Sequence, residues 1–188
     1  MTGSGRSAED ALMTKLAGEG SRHGSSLFGR FGDITKRPPM WAVFAGALAV
    51  TGPKGRRAAF RGGVSYVAGA VAHLPVKWLV DRGRPPGAHR LTMTSSFPSG
   101  HCASELAFSI GAAQEVPWLI VPLYAATLAA EWSMVRSQAH YPSDIFAGAA
   151  VGIVVAVVAQ RVWPSQRRLT KGDHDVNEQR TDDPGPSS

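Results

Sequence analysis

The sequence predicts an all-α membrane bundle of about five spans, preceded by a short amphipathic helix. Three observations predict it: uncharged apolar stretches, tryptophans at their ends and basic clusters beside them. Over all 188 residues 44% are hydrophobic and the mean hydropathy is -0.07, values ordinary for a soluble protein. That average conceals a division. Polar residues concentrate at the two ends, and the stretch between them is rich in Ala, Val, Gly, Leu and Ile. The chain therefore divides into an N-terminal interfacial segment at 1–38, a membrane domain at 39–163 and a polar tail at 164–188.

Uncharged runs occupy 38–53, 62–76, 116–130 and 145–160, with a mixed run at 91–104. Each is shorter than the roughly 20 apolar residues that a lone spanning helix needs. Inside a bundle, ionisable residues that face the protein are tolerated, so spans extend past the charges that interrupt them. The expected spans are 39–54, 61–80, 99–114, 117–135 and 145–163. Trp41, Trp78, Trp118, Trp132 and Trp163 all fall near span ends, at the headgroup level that an amphipathic ring favours.

The net charge of +6 includes basic clusters at 54–61 and 161–171 that border hydrophobic segments. Such placement reads as cytoplasmic anchoring rather than as nucleic-acid binding. The loops at 77–90 and 136–144 then face outward, giving a multi-pass cell-membrane protein with an extracytoplasmic site. Lys36 and Arg37 also adjoin a span and pull the other way.

Ala8, Ala11, Leu12 and Leu16 lie at helical spacing, which predicts a short helix over 8–17 on the membrane or against the bundle. Residues 18–26 are rich in Gly and Ser and read as a linker. The tail is too polar to bury a core and is expected to be disordered. No apolar h-region follows the N-terminus, so the spans themselves are expected to direct insertion. The single cysteine, Cys102, excludes an intramolecular disulfide and a Cys-rich metal site, and reads as a buried thiol. Gly148 and Gly152 form a small-xxx-small pair, serving helix packing within one subunit or a dimer contact.

Three segments gather polar residues at span ends: 77–85 (KWLVDRGRP), 98–101 (PSGH) and 140–144 (HYPSD). Phosphoryl transfer needs cations and N–H donors around the phosphate oxygens, because positioning and charge stabilisation carry most of that catalysis. Lys77 supplies a point charge and Arg84 a planar fork able to hold two oxygens. Ser99 and Gly100 precede a predicted helix whose N-terminus offers free N–H groups. His140 and His101 fit the roles of nucleophile and general acid in a site without metal. Asp144 follows His140 by four residues, with Pro142 favouring a helix start between them, so its carboxylate can fold back and orient the imidazole.

These segments resemble the three-part signature of the type 2 phosphatidic acid phosphatase superfamily, which also holds lipid phosphate phosphatases and vanadium haloperoxidases. The signature is Lys-x(6)-Arg-Pro, then Pro-Ser-Gly-His, then Ser-Arg-x(5)-His-x(3)-Asp. The first part is complete at Lys77, Arg84 and Pro85, and the second at Pro98, Ser99, Gly100 and His101. The third matches at Ser133, His140 and Asp144, while Met134 stands where the family has its second arginine. A chance Pro-Ser-Gly-His in this length has odds on the order of 0.001, so the second part weighs most.

The resemblance spans roughly 60–163. It implies a helical bundle, a small bacterial membrane member, a phosphohistidine on His140 oriented by Asp144, and His101 protonating the leaving group. Lys77, Arg84, Ser99 and Gly100 would hold the phosphate, with no metal and no cofactor. Arg136 lies four residues before His140, and on a continuous helix it would share a face and replace the missing arginine.

Among the remaining ionisable residues, Glu105 is an accessory candidate or a structural partner for a buried cation such as Arg82 or Arg90, and Glu131 reads chiefly as structural. Arg82, His89 and Arg90 read as a solvated positive loop, and His73 as a packed or hydrogen-bonded histidine. The expected activity is hydrolysis of a lipid phosphate in the bilayer: a polyprenyl phosphate derivative or diphosphate, phosphatidic acid or phosphatidylglycerol phosphate. The rivals are a catalytically impaired member that binds anionic lipid and a vanadate-dependent haloperoxidase, against which the apolar spans argue. Oligomeric state is left open.

Overall fold

The structure is a computed structural model that describes residues 8–16, 27–85 and 95–166, all of them helix or connecting loop. The linker at 18–26, His89, Arg90 and nearly all of the polar tail lie outside the described residues. In chain order the helices are α1 (8–16), α2 (Leu27–Thr35), α3 (Pro38–Ala49), α4 (Pro53–Ala72), α5 (Leu74–Leu79), α6 (Gly100–Glu115), α7 (Ile120–Arg136) and α8 (Pro142–Val162). A 3-10 turn at Pro117–Leu119 leads into α7.

Proline sets several of these starts, because its missing N–H costs nothing in a first turn and its fixed φ suits a helix. It does so in α3, α4, α5 and α8. Pro75 also explains why the expected span 61–80 is not one helix: α4 begins earlier, at Pro53, and ends at Ala72, and the chain turns at His73 before the short α5. Within a continuous helix the Pro75 ring would clash with the preceding turn.

α6 is the centre of the bundle, packed between α4 and α8 and against α7. Its residues 102–109 are buried without a break. Neighbouring glycines permit that closeness. A Cβ on Gly69 of α4 would stand 2.7 Å from the Ala103 carbonyl oxygen, and one on Gly152 of α8 would meet the same atom at 2.7 Å. A Cβ on Gly148 would come closer still, 2.3 Å from the Ser99 carbonyl oxygen. The Gly148 and Gly152 pair thus packs helices within one subunit. Cys102 is buried and free.

The larger apolar cluster joins Trp41, Phe108, Leu119 and Leu123. Trp41 therefore departs from the interfacial position expected of it. It is 2% exposed, and its indole N–H donates to the Thr35 carbonyl at 3.0 Å, so its polar edge is satisfied inside the bundle. The other four tryptophans are exposed. In α1 the buried residue is Met13, which packs with Val135 and Tyr141, whereas Leu12 is exposed.

Among the described residues, two helices are long and apolar enough to cross a membrane, Pro117–Arg136 and Pro142–Val162, and Pro38–Ala49 is a shorter apolar helix. Large apolar side chains also face outward from α3 and α4, among them Val43, Phe60, Val67 and Val71.

Candidate active site

The C-terminal ends of α4 and α7, the short α5, the N-terminus of α6 and the loop before α8 meet around a cavity of about 320 Å³. Lys77, Arg84, Gly100, His101 and His140 line it, together with His73, Tyr66 and Met134. The predicted site residues among them, separated by up to 63 positions from Lys77 to His140, thus share one space. His101 is close enough to His140, Lys77, His73 and Arg84 to feel the charge on each.

His140 is 4% exposed. Its Nδ1 lies 2.9 Å from the Ser96 carbonyl oxygen. A carbonyl only accepts, so Nδ1 carries the hydrogen, and in the neutral ring Nε2 keeps a free lone pair. The Asp144 Oδ2 atom stands farther from Nδ1, at 3.7 Å. The tautomer is therefore fixed first by a backbone carbonyl, with the carboxylate behind it as a nearby negative charge.

Asp144 is fully buried. Its Oδ2 accepts the Tyr141 N–H at 2.9 Å, and its Oδ1 accepts from Arg82 Nη1 at 2.8 Å. Arg82 corrects the sequence reading. Far from lying in a solvated loop, it is 8% exposed, pairs with Asp144 and Glu9, donates to Ser143 Oγ and stacks over the Tyr141 ring. Its partners lie at positions 9 and 144, so no local spacing announces them. Tyr141 in turn donates to Asp10 Oδ1 at 2.7 Å. Burial first, and then Asp10, push the phenol up to about 12.

Arg84 Nη1 donates to the Ala139 carbonyl at 2.6 Å, and its Nε is buried with no hydrogen-bond partner among the described residues. Burial lowers the Arg84 pKa and Asp144 opposes the shift; the guanidinium stays charged. Lys77 also lines the cavity, and its side chain has no hydrogen bond or ion pair among the described residues.

The remaining candidates divide. Gly100 lines the cavity, and a Cβ there would stand 2.6 Å from His73 Nε2, so its missing side chain accommodates an imidazole. Ser99 is fully buried; its Oγ accepts the Cys102 N–H at 3.3 Å to cap α6, and it reaches Glu131 Oε2 at 3.5 Å. Arg136 turns away: its Nη2 contacts Asp33 Oδ2 at 3.0 Å, and it is not among the residues that line the cavity. Ser133 likewise engages Asp33. Burial works against ionisation of Asp33, but the Ser133 hydroxyl, Lys36 and Arg136 outweigh it and lower the carboxyl to about 2. Glu105 on α6 and Glu131 on α7 are both buried, and Glu105 pairs with neither Arg82 nor any other cation among the described residues.

His73 and Tyr66 were not picked out as site residues. The ring of His73 donates from Nδ1 to the Gly69 carbonyl at 3.1 Å while lining the cavity. Its spacing of one helical turn before Lys77, with Tyr66 two turns before that, is the signal that places all three on one face.

A helical bundle that closes three histidines and two cations around one cavity has the charge and the hydrogen-bond donors to receive an anion. The PAP2 superfamily model matches residues 35–168, and the chain belongs to that superfamily and is a phosphoric ester hydrolase. It is 32% identical over 139 residues to the decaprenylphosphoryl-5-phosphoribose phosphatase of Mycobacterium tuberculosis, covering 70% of this chain and 76% of that one. It is 32% identical over 126 residues to the lipid A 1-phosphatase of Rhizobium etli, 54% of each chain. A match of 35% identity over 83 residues to the lipid A 1-phosphatase of Porphyromonas gingivalis covers 42% of this chain and 18% of that protein. No solved structure matches the chain.

Proposed function

We propose that the chain is an integral membrane phosphatase that removes a phosphate from a lipid, working through a phosphohistidine on His140. The observation that carries the reading is the single cavity shared by Lys77, Arg84, His101 and His140. It lies at the end of helices whose outward faces are apolar, so a headgroup can enter while its tails stay in the bilayer. α8, with 21 residues, is about 31 Å long, which matches a hydrocarbon core of roughly 30 Å.

The lone pair of His140 Nε2 attacks phosphorus, and the bond from phosphorus to the ester oxygen breaks. His101 gives a proton to that departing oxygen. Water then attacks the phosphohistidine, the P–N bond breaks, and His101 takes the water's proton as phosphate leaves. Lys77 and the unpartnered Nε of Arg84 stabilise the equatorial oxygens. Asp144, held by Arg82, stabilises the imidazolium character of His140 while the Ser96 carbonyl keeps its ring in place.

The relative with the widest mutual coverage is named for a polyprenyl-linked sugar phosphate, and two others for lipid A. A phosphomonoester on a long-chain isoprenoid carrier is therefore our first substrate class, ahead of a polyprenyl diphosphate, phosphatidic acid and phosphatidylglycerol phosphate. The bundle is read as five spans with the cavity facing outward.

The test is phosphate release from a panel of detergent-solubilised lipid phosphates, with His140→Ala as the control. Turnover of at least one lipid by the wild type and none by the variant is the expected result. Met134 in the cavity wall favours the rival reading of an impaired, lipid-binding member. Lipid binding without release from any substrate would establish that rival instead.

A further inference from the structure

The opposite end of the bundle holds a second cavity, of about 370 Å³, where α4 begins and α6 and α8 end. Arg56, Arg57, Arg61 and Glu115 are its charged lining, with Phe60 and Trp163 on its apolar side. The length of α8, 21 residues, separates it by about 30 Å from the phosphate cavity.

Arg61 belongs to the wall. It is 3% exposed, donates to Gln114 Oε1 at 2.7 Å, to Gln160 Oε1 at 2.7 Å and to the Trp163 carbonyl, and lies 5.3 Å from the Trp163 ring centre. These contacts leave it few donors but fix Trp163 at the rim. Among the described residues the Arg57 side chain has only a long ion pair, 3.7 Å to Glu115. Arg56 is exposed, and its side chain has no hydrogen bond or ion pair among the described residues. Three guanidinium groups against one carboxylate leave the cavity with a net charge of +2, counted as 3 minus 1.

Two apolar strips lead away from it along neighbouring helices. Val64, Val67 and Val71 stand on α4, and Val154, Val158 and Val162 on α8, each at least 44% exposed. A charged cavity opening onto such strips has the shape of an amphiphile: anionic head, apolar tails. Basic pockets between membrane helices take phospholipid headgroups in this way, and the arginine fork grips a phosphate by two oxygens at once.

We infer that this second cavity binds the anionic headgroup of a bilayer phospholipid, its phosphate between Arg56 and Arg57 and its acyl chains along α4 and α8. The inference rests on membrane placement but not on the phosphatase chemistry of the other cavity. A free phosphate shares the headgroup chemistry, so both sources are compared below.

The full chain is purified in detergent in a Lys77→Ala/Arg84→Ala background, which disables the phosphate cavity, and ligand retention is read by native mass spectrometry. Phosphatidylglycerol, phosphatidylcholine and inorganic phosphate are the probes. One phosphatidylglycerol is expected to be retained, with neither phosphatidylcholine nor phosphate held at the same concentration. Adding Arg56→Ala and Arg57→Ala should weaken the apparent Kd about thirtyfold, the equivalent of about 1 kcal/mol for each cation. Arg56→Glu alone, at an exposed position, should shift it in the same direction and guards against a double variant that fails to fold. Retention that is unchanged by these substitutions, that vanishes in the background variant, or that inorganic phosphate matches would overturn the inference. Phosphatase activity is not the readout, so failure of the proposed reaction leaves this result intact.

Discussion

Replacing Arg82 by methionine tests how His140, the proposed nucleophile, is held. Arg82 and Asp144 are a buried ion pair, 9% and 0% exposed in their side chains and 2.8 Å apart. Removing the cation leaves the Asp144 carboxylate buried with only the Tyr141 N–H and the more distant His140 as partners. Breaking a buried pair from one side costs about 3–5 kcal/mol, because the surviving charge is neither hydrated nor compensated. Arg82 also joins Glu9 to this group, so the loss should sit at the upper part of that range. For a chain of this size it corresponds to a fall of about 10 °C or more in Tm. The assay is thermal melting in detergent of wild type, Arg82→Met, Asp144→Asn and the double variant. The double variant should be less destabilised than the sum of the singles, by about 1–3 kcal/mol, since residues in one network are coupled. Additive losses, or a stability of Arg82→Met within about 1 kcal/mol of wild type, would show that Arg82 does not hold Asp144.

Arg136→Ala should leave kcat within about twofold of wild type, because Arg136 spends its guanidinium on a partly exposed pair with Asp33 that is worth little; a loss beyond about tenfold would return it to the phosphate. Activity should survive EDTA, since the proposed histidine mechanism draws its charge from Lys77 and Arg84, and loss on chelation would refute the metal-free scheme. The Asp33 carboxyl is lowered to about 2, so its contribution to stability is present above the ordinary value of 3.8 and fades as pH falls towards 2. The melting difference between wild type and Asp33→Asn should therefore shrink from pH 5 to pH 3, whereas a constant difference would mean that the ion cluster is not its source. Met134→Arg should lower the concentration of inorganic phosphate needed for inhibition several-fold by adding a cation to the cavity wall, and no change would place residue 134 outside the phosphate's reach.

The sequence made the helical bundle and five residues of the cavity, Lys77, Arg84, Gly100, His101 and His140, legible because each depends on local pattern. Lys77 and Arg84 lie in one short segment, Gly100 and His101 in another, and all carry chemistry that a core has little use for. What it concealed depends on contacts between distant positions. Arg82 looks like loop charge until Glu9 and Asp144 meet it. Trp41 looks interfacial until the Thr35 carbonyl takes its N–H. Arg136 has the spacing of a phosphate ligand if its helix runs on to His140, but α7 ends at Arg136 and Asp33 claims the side chain. Span length misled for a related reason. The break at His73 follows from Pro75, which was visible, yet apolarity alone ran straight through it.

Backbone contact between α6 and α8 explains how segments some 40 residues apart become one site. The Ser99 N–H donates to the Asp144 carbonyl at 2.9 Å, which ties the turn before α6 to the first turn of α8. That distance is possible because Gly148 presents no side chain to the Ser99 carbonyl. His101 leaves the α6 end of this junction, and His140 precedes the α8 end. Their relation is thus set by rigid backbone rather than by flexible side chains, which is what catalysis by positioning requires. Gly100 performs the same service towards α4, where the His73 ring occupies the volume of a Cβ. A methyl group at 148 would push the two helix starts apart and move one imidazole relative to the other, while leaving every polar group of the cavity in the sequence.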